Sequence, residues 1–185
     1  VDTNSDGLGN MGTAGQIESH RSADPASEQN LRDIVFGATP RFSPQLLLHC
    51  LSPIPGLRDG NGPLAGVERF AERALLLAHE GDVVCLPYTV PPDYMEYLRN
   101  LGLGPASSHV IALPAIGPER QSDPLLIRLL QQTHCLRRGA DLMGEGPDSW
   151  LNCFVSSETD ALLQCRLASL MHKPVHLVNS YPGRV

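Results

Sequence analysis

The chain has a single lysine. Of its fourteen basic residues thirteen are arginine, and Lys173 stands alone. Phosphate chemistry that depends on a mobile ammonium therefore has one candidate. Acids outnumber bases by 20 to 14, for a net charge of −6. That excludes a broad phosphate-binding surface, which needs clustered Lys and Arg, and with it a nucleic-acid partner. No run of ~18 apolar residues exists, so nothing is expected to span a membrane. Residues 1–30 hold no aromatic residue and no apolar stretch of secretory type. No two of the five cysteines have CxxC spacing. Cys50, Cys85, Cys135, Cys153 and Cys165 each lie in or beside an apolar segment, the pattern of buried reduced thiols in a cytoplasmic protein. There is no GxSxG elbow and no Walker A loop.

What is present reads as one domain of 31–185 behind a polar tail. Residues 1–30 are rich in Gly, Ser, Asn and Asp, with neither strand nor helix period, and are expected to be disordered. Gly7-Leu8-Gly9-Asn10-Met11-Gly12 spells GxGxxG. A dinucleotide loop needs a strand before it and a helix after it, and neither flank has that pattern. From Asp33 on, short apolar runs alternate with amphipathic segments. Strands are predicted at Asp33–Gly37, Val83–Leu86, Val110–Leu113, Leu151–Val155 and Val175–Val178. A short helix is predicted over Phe42–Leu51. Another has Val67, Phe70, Ala71, Ala74, Leu75 and Ala78 on one face.

Pro91-Pro92 opens a helix with Tyr94, Tyr97, Leu98 and Leu101 inward. Ser122-Asp123-Pro124 caps one carrying Leu125, Leu126, Leu129 and Leu130. A loop is expected over Gly139–Ser149. Ser157 and Asp160 resemble a capping box, followed by the stripe Leu163, Leu167 and Leu170. This alternation implies an α/β domain with a mostly parallel sheet of about five strands and helices on both faces. Strand order is not legible.

Ligands of such sheets sit beyond the carboxyl ends of the strands. On the predicted strands those loops contain Thr39 and Arg41, then Tyr88, then Ser156, Ser157 and Glu158, then Asn179 and Ser180. These are the candidate substrate-binding residues. Arg41 has the planar fork that grips carboxylate or phosphate, and is equally a surface arginine. Ser156–Glu158 start a helix whose N–H groups suit an anion or serve simple capping. Asn179 and Ser180 suit a ligand or a turn. Cys85 and Cys153 lie mid-strand, where thiols are inert. His172 and His176 have metal-ligand spacing on a helix, but Pro174 between them breaks it. Asp93 and Glu96 share a helix start as solvated acids. No catalytic residue and no metal ligand is assigned.

Several short motifs, in order, resemble the pre-ATP-grasp domain of peptide-ligase-like ATP-grasp proteins. They are Ile34-Val35-Phe36-Gly37, Leu51-Ser52-Pro53 with Pro55-Gly56, Glu80–Pro87, and Leu101-Gly102-Leu103-Gly104-Pro105-Ala106-Ser107-Ser108. The resemblance covers roughly residues 33–180 and implies a Rossmann-like fold. It implies the substrate-side or scaffolding lobe of a ligase that activates a carboxylate as an acyl phosphate and passes it to an amine. Family members use ATP and Mg²⁺, held by two further lobes. The chain ends at Asn179–Val185, about where those lobes would begin. It is therefore expected to be inactive alone, to hold no cofactor itself, and to partner ATP-grasp lobes in cis or in trans, with a small-molecule substrate. Two rivals are a stand-alone small-molecule-binding domain and a small thiol or serine enzyme.

Overall fold

The computed structural model describes residues 44–51, 67–115, 124–144, 148–155 and 157–178. Strand β1 is Gln45–Leu48. Leu46, Leu47 and Leu48 are all buried, as they must be in a strand covered on both faces. The helix expected over Phe42–Leu51 is therefore corrected to a strand. A short apolar run has no period that separates the two, and the neighbouring strands decide. The strand expected at Asp33–Gly37 and the tail 1–30 lie outside the described residues.

A 3₁₀ turn at Val67–Glu72 runs into α1, Arg73–Leu77. Ala71, Ala74, Leu75 and Ala78 form its buried stripe, as the spacing predicts. Strand β2, Val83–Leu86, is buried throughout. Helix α2, Pro92–Asn100, starts with proline where no intrahelical N–H bond is needed. It buries Met95 and Leu98. Tyr97 and Leu101, expected inward, are exposed, because the contact stripe runs through Met95 instead. The helix ends in a Schellman pattern, with Leu103 N–H donating to Leu98 O and Gly102 N–H to Arg99 O, both at 2.9 Å. Gly102 and Gly104 have φ of 69° and 83°, which side-chain-bearing residues rarely adopt.

Strand β3 is Val110–Ala112. Two helices follow, α3 at Leu125–Gln131 and α4 at Thr133–Leu142. The second overturns the first part of the loop expected over Gly139–Ser149. Its buried face is Cys135, Leu136, Gly139 and Ala140, small residues that give a weak apolar signal. Strand β4 is Ser149–Cys153, two residues earlier than expected. Phe154, expected in the sheet core, lies past its end and is 36% exposed. Helix α5, Glu158–Met171, buries Leu163 and Leu167, with Leu170 half-buried. It stops at His172 in the left-handed region (φ 52°). Strand β5, Val175–Leu177, closes the sheet.

All pairings are parallel and the order is β3-β2-β1-β4-β5. The chain builds outward from β1 to β3, then crosses back to β4 and β5. Right-handed crossovers set α1 and α2 on one face and α3 to α5 on the other. The order reverses between β1 and β4, the place in such sheets where ligands commonly bind.

The amino edge is tied by Asp82, which is fully buried. Its carboxylate accepts the Gln45 backbone N–H and Nε2–H, each at 3.2 Å, and the His79 N–H at 2.8 Å. Gln45 Oε1 in turn accepts from Asn152 Nδ2 at 3.0 Å. Asp82→Ala leaves these donors without their acceptor and is expected to cost about 2 kcal/mol. Urea unfolding checks this; an unchanged midpoint would show that the three bonds contribute nothing net.

Candidate functional site

The ligand edge of this sheet is its carboxyl edge, so the site is built from the residues just past each strand. After β1 comes His49. It is 3% exposed, and its ring is within reach of the Asn152 side chain, a hydrogen bond short of full geometry. Burial, and then the Arg73 charge, push its pKa from 6.5 down to about 4, with Asn152 opposing them. At neutral pH it is an uncharged imidazole with one donor and one acceptor.

After β4 comes Phe154, whose ring centroid lies 5.9 Å from that of His49 and 4.8 Å from that of Phe70. The exposed Arg73 lays its guanidinium over both phenyl rings, 5.0 Å from Phe154 and 5.7 Å from Phe70. Arg73 has no carboxylate partner among the described residues. Its sequence neighbour Glu72 is already engaged, accepting from Tyr88 Oη at 2.7 Å and from Arg69 at 3.4 Å.

After β2 and β3, one buried arginine joins the two loops. Arg128 of α3 donates through Nη2 to Pro87 O at 2.9 Å and to Pro114 O at 3.0 Å. It fixes the two strand ends relative to each other.

Of the sequence candidates, Tyr88 lies at the end of β2 with its hydroxyl committed to Glu72. Ser157 and Glu158 begin α5. There the Asp160 carboxylate accepts the Ser157 N–H, the return half of the expected capping box. The forward half, from the Asp160 N–H to Ser157 Oγ, is in place as a contact but short of full hydrogen-bond geometry. Burial raises the Asp160 pKa against these bonds. The helix start is thus filled by the chain's own carboxyl group. Thr39, Arg41, Ser156, Asn179 and Ser180 lie outside the described residues. Thr39 and Arg41 were tied to a strand at 33–37, and the loop that leaves the described β1 begins at His49 instead.

Sequence reasoning missed His49, Arg73 and Arg128. His49 ends an apolar triplet and Arg128 interrupts a leucine run. A polar residue at such a place is the available signal, though it does not separate ligand binding from loop pinning.

None of the five cysteines is in a disulfide. Burial raises the thiol pKa of Cys85 and Cys153, which keeps both protonated and unreactive. Lys173 donates to Met143 O and Gly144 O, both at 3.2 Å. That is the amino edge of the sheet. Among the described residues no three His, Cys, Asp or Glu side chains converge to hold a metal. No described helix is long and apolar enough to cross a membrane. The described residues thus do not fit Mg-ATP: the one lysine is committed elsewhere and no carboxylates gather.

Comparison with known proteins adds one finding. The family model of the pre-ATP-grasp domain matches residues 71–168, from the end of the 3₁₀ turn through most of α5. No curated protein and no solved structure matches.

Proposed function

Because the chain belongs to the pre-ATP-grasp domain family, we propose that it serves as the substrate-side or scaffolding lobe of an ATP-dependent carboxylate–amine ligase, without ATP chemistry of its own. The family match is the observation that carries this reading. Two features support it. The carboxyl edge of the Rossmann-like sheet carries an exposed arginine and a buried imidazole but, among the described residues, no set of groups for breaking a bond. The sole lysine faces the other edge. A phosphate cradle needs a glycine-rich loop with a lysine, or basic residues and acidic Mg²⁺ ligands that converge. The partners on this reading are ATP-grasp lobes, in cis or in trans, and a small carboxylate substrate.

The test is isothermal titration of the chain with Mg-ATP together with a phosphate-release assay. The expected result is no saturable binding below about 1 mM and no phosphate released above the buffer rate. Micromolar binding with sustained turnover would overturn the reading and make the chain an enzyme in its own right.

A further inference from the structure

A sheet presents unpaired backbone groups along each edge strand, and a native chain either covers them or uses them. At the β5 edge, the outward carbonyl of Val175 already accepts from Gln164 Nε2 at 2.6 Å. The β3 edge is open. Leu113 N–H donates to Leu86 O, so Ile111 and Leu113 turn their backbone groups toward β2, and Val110 and Ala112 turn theirs outward. Val110 N–H is taken by Ser107 O. Val110 C=O and both backbone groups of Ala112 have no partner among the described residues. Beside this edge, beneath α2, lies a cleft of about 480 Å³. Its apolar lining is Val90, Met95, Val110 and Ala112. Its α2 wall carries two opposite charges, Glu96 and Arg99, both exposed and neither in an ion pair among the described residues.

We propose that β3 pairs antiparallel with β3 of a second copy of this chain, about a two-fold axis beside Ile111, joining the two sheets into one. In that register Ala112 N–H of each copy donates to Val110 C=O of the other, so the outward donor meets the outward acceptor twice. The strands lie about 4.8 Å apart, and each α2 bridges β2 and β3. The two α2 helices then come about 10 Å apart, the distance at which helices pack. They run antiparallel, which brings Arg99 of each copy toward Glu96 of the other and closes one cleft against its twin. A single wall that carries both charges is what a two-fold interface requires, because each side must complement itself. The pairing consumes both β3 edges, so assembly stops at two copies. This goes beyond the ligase reading and does not rest on it.

The test is sedimentation velocity of the full chain from about 5 to 500 µM, the range of a small interface. The expected result is a monomer–dimer equilibrium with nothing larger. Ala112→Pro removes the outward donor from each copy, and an edge strand accepts proline where its N–H would face out. It is expected to weaken the dimer about tenfold or more, while the melting temperature of dilute protein stays at the parent's. Arg99→Glu sets like charges against each other and weakens the dimer; adding Glu96→Arg restores it, a rescue that a change in folding alone does not produce. Hydrogen exchange at the Ala112 amide is expected to slow as concentration rises. A chain that stays monomeric throughout, a dimer that Ala112→Pro leaves intact, or a charge reversal that the double variant fails to rescue would overturn the inference. So would an Ala112 amide protected equally at every concentration, which would give the edge to a segment of the same chain.

Discussion

Val84→Asp is expected to abolish folding of the domain. Val84 is fully buried in β2, and its backbone is paired on both sides, with Leu47 in β1 and Val110 in β3. Its side chain enters the layer covered by α1 and α2. A carboxylate there finds no cation and no water. It must either stay charged in an apolar medium or take up a proton at neutral pH, and each route costs several kcal/mol. A domain of this size has only ~5–15 kcal/mol in all. The variant should lose its cooperative melt by circular dichroism, whereas Val84→Ile should melt close to the parent. A Val84→Asp protein with an unchanged melting temperature would refute the position of β2 in the centre of the sheet.

The second large effect is on pH. His49 titrates at 6.5 in an unfolded chain and at about 4 in the folded one. Between those values the unfolded state binds the extra proton and the folded state does not. Stability therefore rises with pH across this window, is fully present above about 6.5, and is lost as pH falls toward 4. The whole shift corresponds to about 3 kcal/mol. Asp160 works in the opposite sense: its raised pKa means that ionising it opposes folding, a cost relieved as acid is added. The two are separated by comparing the parent with His49→Phe in urea titrations at pH 6.5 and pH 4. The parent should lose about 3 kcal/mol more than the variant over that interval. Equal losses would show that His49 protonates freely in the folded chain, and that its imidazole is not buried as described.

The parallel α/β architecture was legible because the chain alternates two kinds of pattern. Val83–Leu86 is short and uniformly apolar, Val175 and Leu177 flank one histidine in an equally short run, and the stripe Leu163, Leu167, Leu170 repeats at helical spacing. The capping pair Ser157 and Asp160 fixed the start of α5 for the same reason: local hydrogen bonding sets it, and local sequence encodes it. Gln45–Leu48 was misread because three leucines in a row satisfy either geometry. Only pairing with Val83 and Trp150, both far along the chain, makes them a strand. Helix α4 escaped notice because Gly139 and Ala140 lie on its buried face, where size rather than apolarity is what the sheet requires. The strand order depends on which apolar edges meet, and no single segment carries that information.

The site was less legible still. Its candidates were placed by the strand ends, so an error in β1 displaced the first loop and passed over His49. Arg73 reads on the sequence as one exposed helical arginine among others. Its meaning comes from Phe154, eighty-one positions later, whose ring it covers. Contacts of that span have no local signature.

The chain's only tryptophan, Trp150, lies in β4 with its ring 4.7 Å from that of His176 in β5. His176 Nε2 is also 3.5 Å from Asp148 Oδ1. Intrinsic fluorescence of this protein is therefore a local gauge. It reports the seam between the last two strands. An optical melt would record the parting of β4 from β5. Events at the β3 edge, three strands away, would pass unseen by the same light.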